Sequence, residues 1–183
     1  PLNPYGWSKQ KFDLWNLAEQ KKPKQWVGLK FFNVYGPYEQ HKGKMASVAY
    51  HAYHQIQAHG SLKLFKSYHP QFENGGQKRD FIYVQDIVKM CLIFLKNRNI
   101  SGIFNAGSGT ARTFYDLGSS LFKAMQLPEK IEYGEMPENL KNQYQYFTEA
   151  RMDSFLQNFS LIFTPIESGI LSYVQHLDAQ HNR

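Results

Sequence analysis

Short β-prone runs and helix-start signals alternate along the whole of this sequence, and that alternation leaves few architectures open. Asn3-Pro4 reads as a helix start, asparagine suiting the cap and proline the first turn. That helix is expected to run to about Gln20, to bury Phe12, Trp15 and Leu17, and to end before Pro23. Residues 26–32 (WVGLKFF) form a short apolar run, read as a buried strand, and Asn33-Val34-Tyr35-Gly36-Pro37 breaks it into a loop. A second helix is expected over 45–58 with Gly60 just beyond its end. A short strand over 62–66, a Pro- and Gly-containing loop over 69–77, an alternating strand over 79–84 and a helix to about Asn97 follow. Residues 103–106 make a strand feeding Gly107-Ser108-Gly109, read as a strand-to-helix turn. Thr113 and Asp116 have the spacing of a capping box. Residues 131–135 read as a strand, Thr148 as a cap for another helix, and Thr164-Pro165-Ile166-Glu167 as the start of the last one. Ile170, Val174 and Leu177 give that last helix its apolar stripe. Helices and strands interleave instead of segregating, which makes the fold class α/β.

Composition narrows the function. A hydrophobic content of 42%, with 16% aromatics, is that of a folded domain and not of a disordered chain. No apolar run approaches the ~20 residues that cross a bilayer, so no membrane role is expected. The single cysteine, Cys91, has no internal disulfide partner, and no Cys/His cluster has structural-zinc spacing, so no metal is expected. With Ile87 and Leu95 at helical spacing, Cys91 is expected in the core, and a reducing cytoplasm is the expected compartment. Lys and Arg number 21 against 15 Asp and Glu, a net +6. These charges are scattered, so nucleic acid is not the expected partner; a phosphorylated small molecule needs only two or three of them.

Tyr5-Gly6-Trp7-Ser8-Lys9 sets a phenol and an ammonium four residues apart, on one helical face. A phenol ordinarily ionises near ~10, too high for a base at neutral pH. A neighbouring cation favours the phenolate, which makes proton transfer from an alcohol that becomes a ketone physically reasonable. The spacing alone decides little: among 12 tyrosines, Tyr38 and Lys42 share it, after Gly36-Pro37 where no helix is expected.

Four ordered stretches carry a resemblance. N-P-Y-G-x-S-K (3–9) resembles the catalytic segment of the extended short-chain dehydrogenase/reductase family. K-F-F-N-V-Y-G-P (30–37) resembles its strand-to-substrate-loop junction. K-R-D-F-I-Y-V-Q-D (78–86) resembles its R-D-F-x-Y-V-x-D segment, and G-I-F-N-A-G-S-G (102–109) its late N-x-G-x-G turn. The resemblance implies the C-terminal part of a doubly wound Rossmann domain, in segments of about 1–34 and 79–110. A small α/β substrate-binding domain would take about 35–78 and 111–183. It further implies that the Gly-rich turn for the cofactor pyrophosphate, and the Ser/Thr that completes a Tyr-Lys centre, lie upstream of Pro1. On this reading the chain is a fragment. By itself it is expected to be poorly soluble or held by a partner, because an apolar strand edge is laid open.

Two further stretches, H-K-G-K-M-A-S-V-A-Y-H (41–51) and Q-Y-Q-Y-F-T (143–148), resemble the branch of that family that acts on C6 of ADP-linked heptoses. That implies tightly held NADP, with NAD the alternative, oxidation of C6 to a ketone, and return of the same hydride to its other face. The setting implied is lipopolysaccharide precursor synthesis, by a homo-oligomeric intact enzyme. The catalytic residues implied are Tyr5, Lys9 and Lys42, and the cofactor contacts Lys9, Val34 and Lys42. The ADP-sugar contacts implied are Asn33, Lys44, His51, Phe65, Arg79 and Tyr144. Arg79 has a physical argument of its own, since a guanidinium fork matches diphosphate oxygens, against the alternative of an ordinary strand-end arginine. For Lys42 the alternative is a surface loop lysine, and for His51 a polar-face residue, the reading kept for His54. Lys44 stands where those enzymes carry a small serine. The 67–77 loop is longer than theirs, so Lys66, Ser67 and Tyr68 do not transfer. Two other functions stay open: an epimerase or dehydratase of UDP-hexose type, and a catalytically dead nucleotide-sugar-binding fragment.

Overall fold

Caps and turns set the element boundaries in the computed structural model, which describes residues 3–141 and 144–181. Helix α1 (Pro4–Ala18) opens where the Asn3 side chain accepts from the Gly6 amide at 2.8 Å. Strand β1 (Val27–Phe31) leads straight into β2 (Asn33–Tyr35) and a 3-10 segment, Gln40–Met45. Helix α2 (Val48–His59) is capped by the Ser47 hydroxyl, which accepts from the Tyr50 amide. It closes on Gly60, whose φ of 66° needs no Cβ in the way. Strands β3 (Leu62–Phe65) and β4 (Lys78–Tyr83) flank the long 66–77 loop, and α3 (Val84–Lys96) runs directly from β4. Then come β5 (Gly102–Ala106), β6 (Ala111–Thr113) and α4 (Phe114–Ala124), the last opened by the full Thr113–Asp116 capping box. Strand β7 (Ile131–Gly134) and the short helices α5 (Glu138–Lys141) and α6 (Asp153–Leu156) lead to α7 (Ile166–His181).

Pairing is mostly parallel. β1 lies along β5, β2 along β4, and β3 along β7, while β6 pairs antiparallel with the other edge of β4. The Phe32 amide donates to Ala106 O at 3.1 Å and carries the β1–β5 ladder toward β2. Two apolar clusters result. One joins Ala52, Tyr53 and Ile56 of α2 to Leu117 and Leu121 of α4 and to Ile170, Val174 and Leu177 of α7. The other joins Ile87, Met90 and Phe94 of α3 to Phe104 of β5 and Phe155 of α6.

Two fully buried carboxylates hold these layers in register. Asp80 accepts from Ser108 N (2.7 Å), Ser108 Oγ (2.8 Å), Gly109 N (2.9 Å) and Ala150 N (3.0 Å). Asp86 accepts from Thr164 N (2.6 Å), Thr164 Oγ1 (3.1 Å) and Lys89 Nζ (2.7 Å). The turn below Asp80 tolerates only glycine at 107, because a Cβ there would stand 2.4 Å from the Ala150 Cβ and 2.7 Å from Asp80 Oδ2.

Several expectations are corrected. Residues 33–35 are a strand and not a loop, because β4 offers them a parallel partner. The Gly107–Gly109 turn feeds β6 before α4, so it is strand-to-strand. Thr148 caps nothing: its amide donates to Lys78 O at 3.2 Å, and α6 begins after Met152. The Thr164 hydroxyl is committed to Asp86. Cys91 is half-buried and Leu95 is exposed, so that stripe of α3 only grazes the core. Phe12, Trp15 and Leu17 are 61, 58 and 54% exposed, because none of the described elements covers that face of α1. Among the described residues, no helix is long and apolar enough to cross a membrane.

Replacing Asp80 by Asn turns an amide nitrogen toward buried N–H donors, and should lower stability by about 2–3 kcal/mol, read as the urea midpoint. An unchanged midpoint contradicts the bracing role given to Asp80. A second test concerns acid. Burial acts to raise the Asp116 carboxyl, but the Thr113 bonds and Arg112 outweigh it and hold it low. The Arg112 bond, 2.5 Å long, likewise holds Glu167 low. Groups with depressed folded values contribute stability above the ordinary carboxylate range and lose it as pH falls through that range. Stability should therefore drop as pH is taken below ~4, and Arg112→Gln should flatten the drop when thermal midpoints are compared at pH 6 and pH 3.5.

Candidate functional site

The strand ends β2, β3 and β4 converge with α2 on a cavity of about 360 Å³. Asn33 comes from β2, Phe65 from β3, Arg79 from β4 and Tyr144 from the segment before Phe147. The sequence places all four at a substrate, and the structure brings them to one wall. Val48, Lys63, Leu64, Gln77 and Phe114 also line it.

Arg79 is the charged centre of this cavity. Its guanidinium lies 5.3 Å from the Tyr144 ring centre and 5.6 Å from that of Phe114, and Nη1 donates to Lys78 O at 2.9 Å. Burial pulls the guanidinium below its ordinary value, partly offset by Tyr144, yet a guanidinium stays cationic in a protein. Burial raises the Tyr144 phenol, with Arg79 opposing, so the ring is neutral at physiological pH. The result is a half-buried cation flanked by two flat rings. Such a site suits a ligand carrying both anionic oxygens and a planar group.

The long 66–77 loop packs behind the same wall. Tyr68 N donates to the Tyr146 hydroxyl at 3.2 Å, and the Tyr146 ring meets His69 (5.1 Å), Phe72 (5.4 Å) and Tyr144 (5.2 Å). Lys66 anchors the loop to Glu135 at 2.6 Å, and the Tyr68 hydroxyl donates to the same carboxylate. Of the Q-Y-Q-Y-F-T motif, Gln143 lies outside the described residues.

The other expected residues stand elsewhere. Tyr5 and Lys9 share one face of α1, the Lys9 ammonium 5.1 Å from the Tyr5 ring centre, and both are exposed. Lys42 and Lys44 lie on the exposed 3-10 segment, on either side of Gly43, whose φ of 52° and ψ of −124° kink it. His51 sits exposed on α2, edge-on to Tyr50 at 5.7 Å, and Val34 is half-buried against the second apolar cluster. His54 meets Tyr50 and Tyr53 edge-on. None of these lines the Arg79 cavity. Among the described residues, no group of three or more His, Cys, Asp or Glu side chains is arranged to hold a metal ion.

A second cavity, about 310 Å³, lies under the free side of β1 between Trp26, Val27, Leu29, Cys91, Phe94 and Leu95. It is apolar, and Gln25 closes one end by donating to Phe94 O and Asn97 O, both at 3.0 Å.

Sequence reasoning missed Val48, Lys63, Leu64, Gln77 and Phe114. A signal existed for Lys63: in the alternating run of β3 it shares a face with Phe65, opposite buried Leu62 and Leu64. Val48 and Phe114 each follow a helix cap directly, a position that reads only as a helix start.

Comparison with known proteins shows the family. A family model described as the NAD dependent epimerase/dehydratase family matches residues 1–107. An ADP-L-glycero-D-manno-heptose-6-epimerase of Fusobacterium nucleatum is 44% identical over 189 residues, covering 100% of this chain and 57% of that protein. The enzyme of the same name from Nitratidesulfovibrio vulgaris is 49% identical over 176 residues, covering 96% of this chain and 54% of that one. The crystal structure of the Helicobacter pylori ADP-L-glycero-D-manno-heptose-6-epimerase superposes with a TM-score of 0.76 at 29% identity, over 98% of this chain and 52% of that one. This chain thus spans about half the length of the curated relatives it matches. Its interleaved, mostly parallel strands and helices are those of a Rossmann-type epimerase. The chain belongs to the NAD dependent epimerase/dehydratase family.

Proposed function

We propose that this chain supplies the substrate-binding side, and both proton-handling groups, of an enzyme that inverts C6 of an ADP-linked heptose in lipopolysaccharide precursor synthesis. The observation that carries the reading is the Arg79 cavity, which gathers Asn33, Phe65, Arg79 and Tyr144 beside the ends of parallel strands. The 44–49% identity to proteins named for that reaction supports the choice of an ADP-heptose over other nucleotide sugars. Residues of about 1–34 and 79–110 are read as the cofactor-binding part, and those of about 35–78 and 111–183, with the α2–α4–α7 cluster, as the substrate-binding part.

The residues of α1 fit a nicotinamide cofactor. Lys9 stands beside the Tyr5 ring on one helical face, so a ribose hydroxyl held by the ammonium brings a nicotinamide ring next to the phenol. Val34 offers an apolar side chain on β2 for that ring to rest on. NADP is the form proposed; bound there, it would supply reversible hydride transfer at C6 of the heptose, away from one face and back to the other. Tyr5 takes the C6 hydroxyl proton as the hydride leaves. Lys42 handles the proton on the other face when the hydride returns, which is why inversion needs two such groups. Arg79 holds the diphosphate, and Asn33, Lys44, His51, Phe65 and Tyr144 complete the grip on the ADP-sugar.

In the intact enzyme, Tyr5→Phe is expected to lower kcat on ADP-heptose by roughly 10²–10⁴-fold with little change in KM. Full turnover in that variant removes Tyr5 from the chemistry. ADP-heptose carrying deuterium at C6 should be epimerised with the label retained at C6; loss of the label to solvent contradicts hydride return. Preferential turnover of UDP-hexoses over ADP-heptose overturns the substrate assignment.

A further inference from the structure

Glu39 is a buried carboxylate, 4% exposed, that the proposed reaction does not use. Among the described residues it has no cationic partner. Its side chain instead collects four neutral donors. Oε1 accepts from the Gly36 amide (3.3 Å), the Ser47 hydroxyl (2.7 Å) and the Tyr173 hydroxyl (2.9 Å), and Oε2 accepts from the Ser47 amide (2.6 Å). A buried charge is costly unless its hydrogen bonds are complete, so a carboxylate kept there answers to a geometric need.

The donors show what that need is. Gly36 and Ser47 are the two ends of the segment that carries Lys42 and Lys44, and one carboxylate ties both together. The segment also hangs from the Glu39 backbone, because the Lys42 amide donates to Glu39 O at 2.9 Å. Residues 40–45 are all exposed and touch no buried layer, so the clamp at the base fixes where the tip points. Tyr38 adopts φ 71°, a left-handed conformation that a tyrosine holds only when its surroundings demand it. That conformation sits at the residue immediately before Glu39. Tyr173 refers the clamp to α7, in the apolar cluster that also contains α2 and α4.

We propose that Glu39 is a positioning residue for Lys42, acting by closing the base of the 36–47 segment so that the lysine is held where the second proton transfer occurs. This rests on the reading of Lys42 given above. Glu39→Gln keeps the side-chain size but presents an amide nitrogen to one of the donors, most directly the Ser47 amide, and so opens the clamp.

The experiment is a double-mutant cycle in the intact enzyme, with Glu39→Gln, Lys42→Ala and the pair, measuring kcat and KM for ADP-heptose. Far-UV circular dichroism and thermal midpoint verify the fold of each variant. Glu39→Gln should lower kcat by on the order of 10²-fold with KM nearly unchanged, the scale of a misplaced catalytic group. In the Lys42→Ala background it should cost almost nothing more, because the positioned group is already gone. A merely structural role predicts a loss that multiplies with that of Lys42→Ala, and that result overturns the proposal, as does full turnover in Glu39→Gln. Should Glu39→Gln not fold, Tyr173→Phe makes the same test at smaller amplitude. A several-fold loss of kcat that disappears in the Lys42→Ala background supports the clamp, and no loss or a multiplying one refutes it. Full turnover in Lys42→Ala alone sinks the reading of Lys42 itself, a different outcome from loss in Lys42→Ala with none in Glu39→Gln.

Discussion

The Asp80 carboxylate is the joint on which the site depends. It is fully buried, satisfied by three backbone amides and one hydroxyl, and it ties β4 both to the turn after β5 and to the chain at Ala150. Its neighbour in sequence, Arg79, points to the opposite face of the same strand, into the cavity. One strand therefore carries a brace on one side and a recognition cation on the other. Asn33 is drawn in by the same residue, its amide donating to Asp80 O at 3.3 Å. The close contact at Gly107 belongs to this arrangement too, since any side chain there would drive Asp80 and Ala150 apart.

Around that brace the protein separates rigid from open parts. The α2–α4–α7 cluster and the α3–β5–α6 cluster are apolar and buried. Helix α1 has no buried residue, and its only ion pair to the sheet among the described residues is Lys30–Asp13. It nevertheless exposes Trp7, Phe12, Leu14, Trp15 and Leu17, more large apolar surface than a helix usually leaves in water. Among the described residues, β1 likewise pairs on one side only, with β5. The chain spans about half the length of the relatives it matches.

Much of this was legible in the sequence, for local reasons. The Asn3, Gly60 and Thr113–Asp116 signals act within one helical turn, so they held wherever the chain folded. What stayed illegible needed a partner. Three-residue strands such as β2 and β6 carry no periodicity of their own and exist because β4 lies between them. Phe12, Trp15 and Leu17 are large apolar side chains that the sequence expects to be buried, but apolar character states only what wants covering. In the site, Arg79 and Tyr144 were visible through motifs, whereas Phe114 and Val48 looked like ordinary helix starts. The 66–77 loop departs from the family pattern, and only its aromatic contacts with Tyr146 show that it buttresses the Tyr144 wall.

The central claim is that the Arg79 cavity receives a nucleoside diphosphate. Calorimetric titration of the protein with ADP and with adenosine, beside the Arg79→Gln variant, tests it most directly. ADP should bind at least about tenfold more tightly than adenosine, and Arg79→Gln should erase most of that preference, as expected for a charge-assisted fork on diphosphate oxygens. Equal affinity for the two ligands, or an undiminished preference in the variant, contradicts the account.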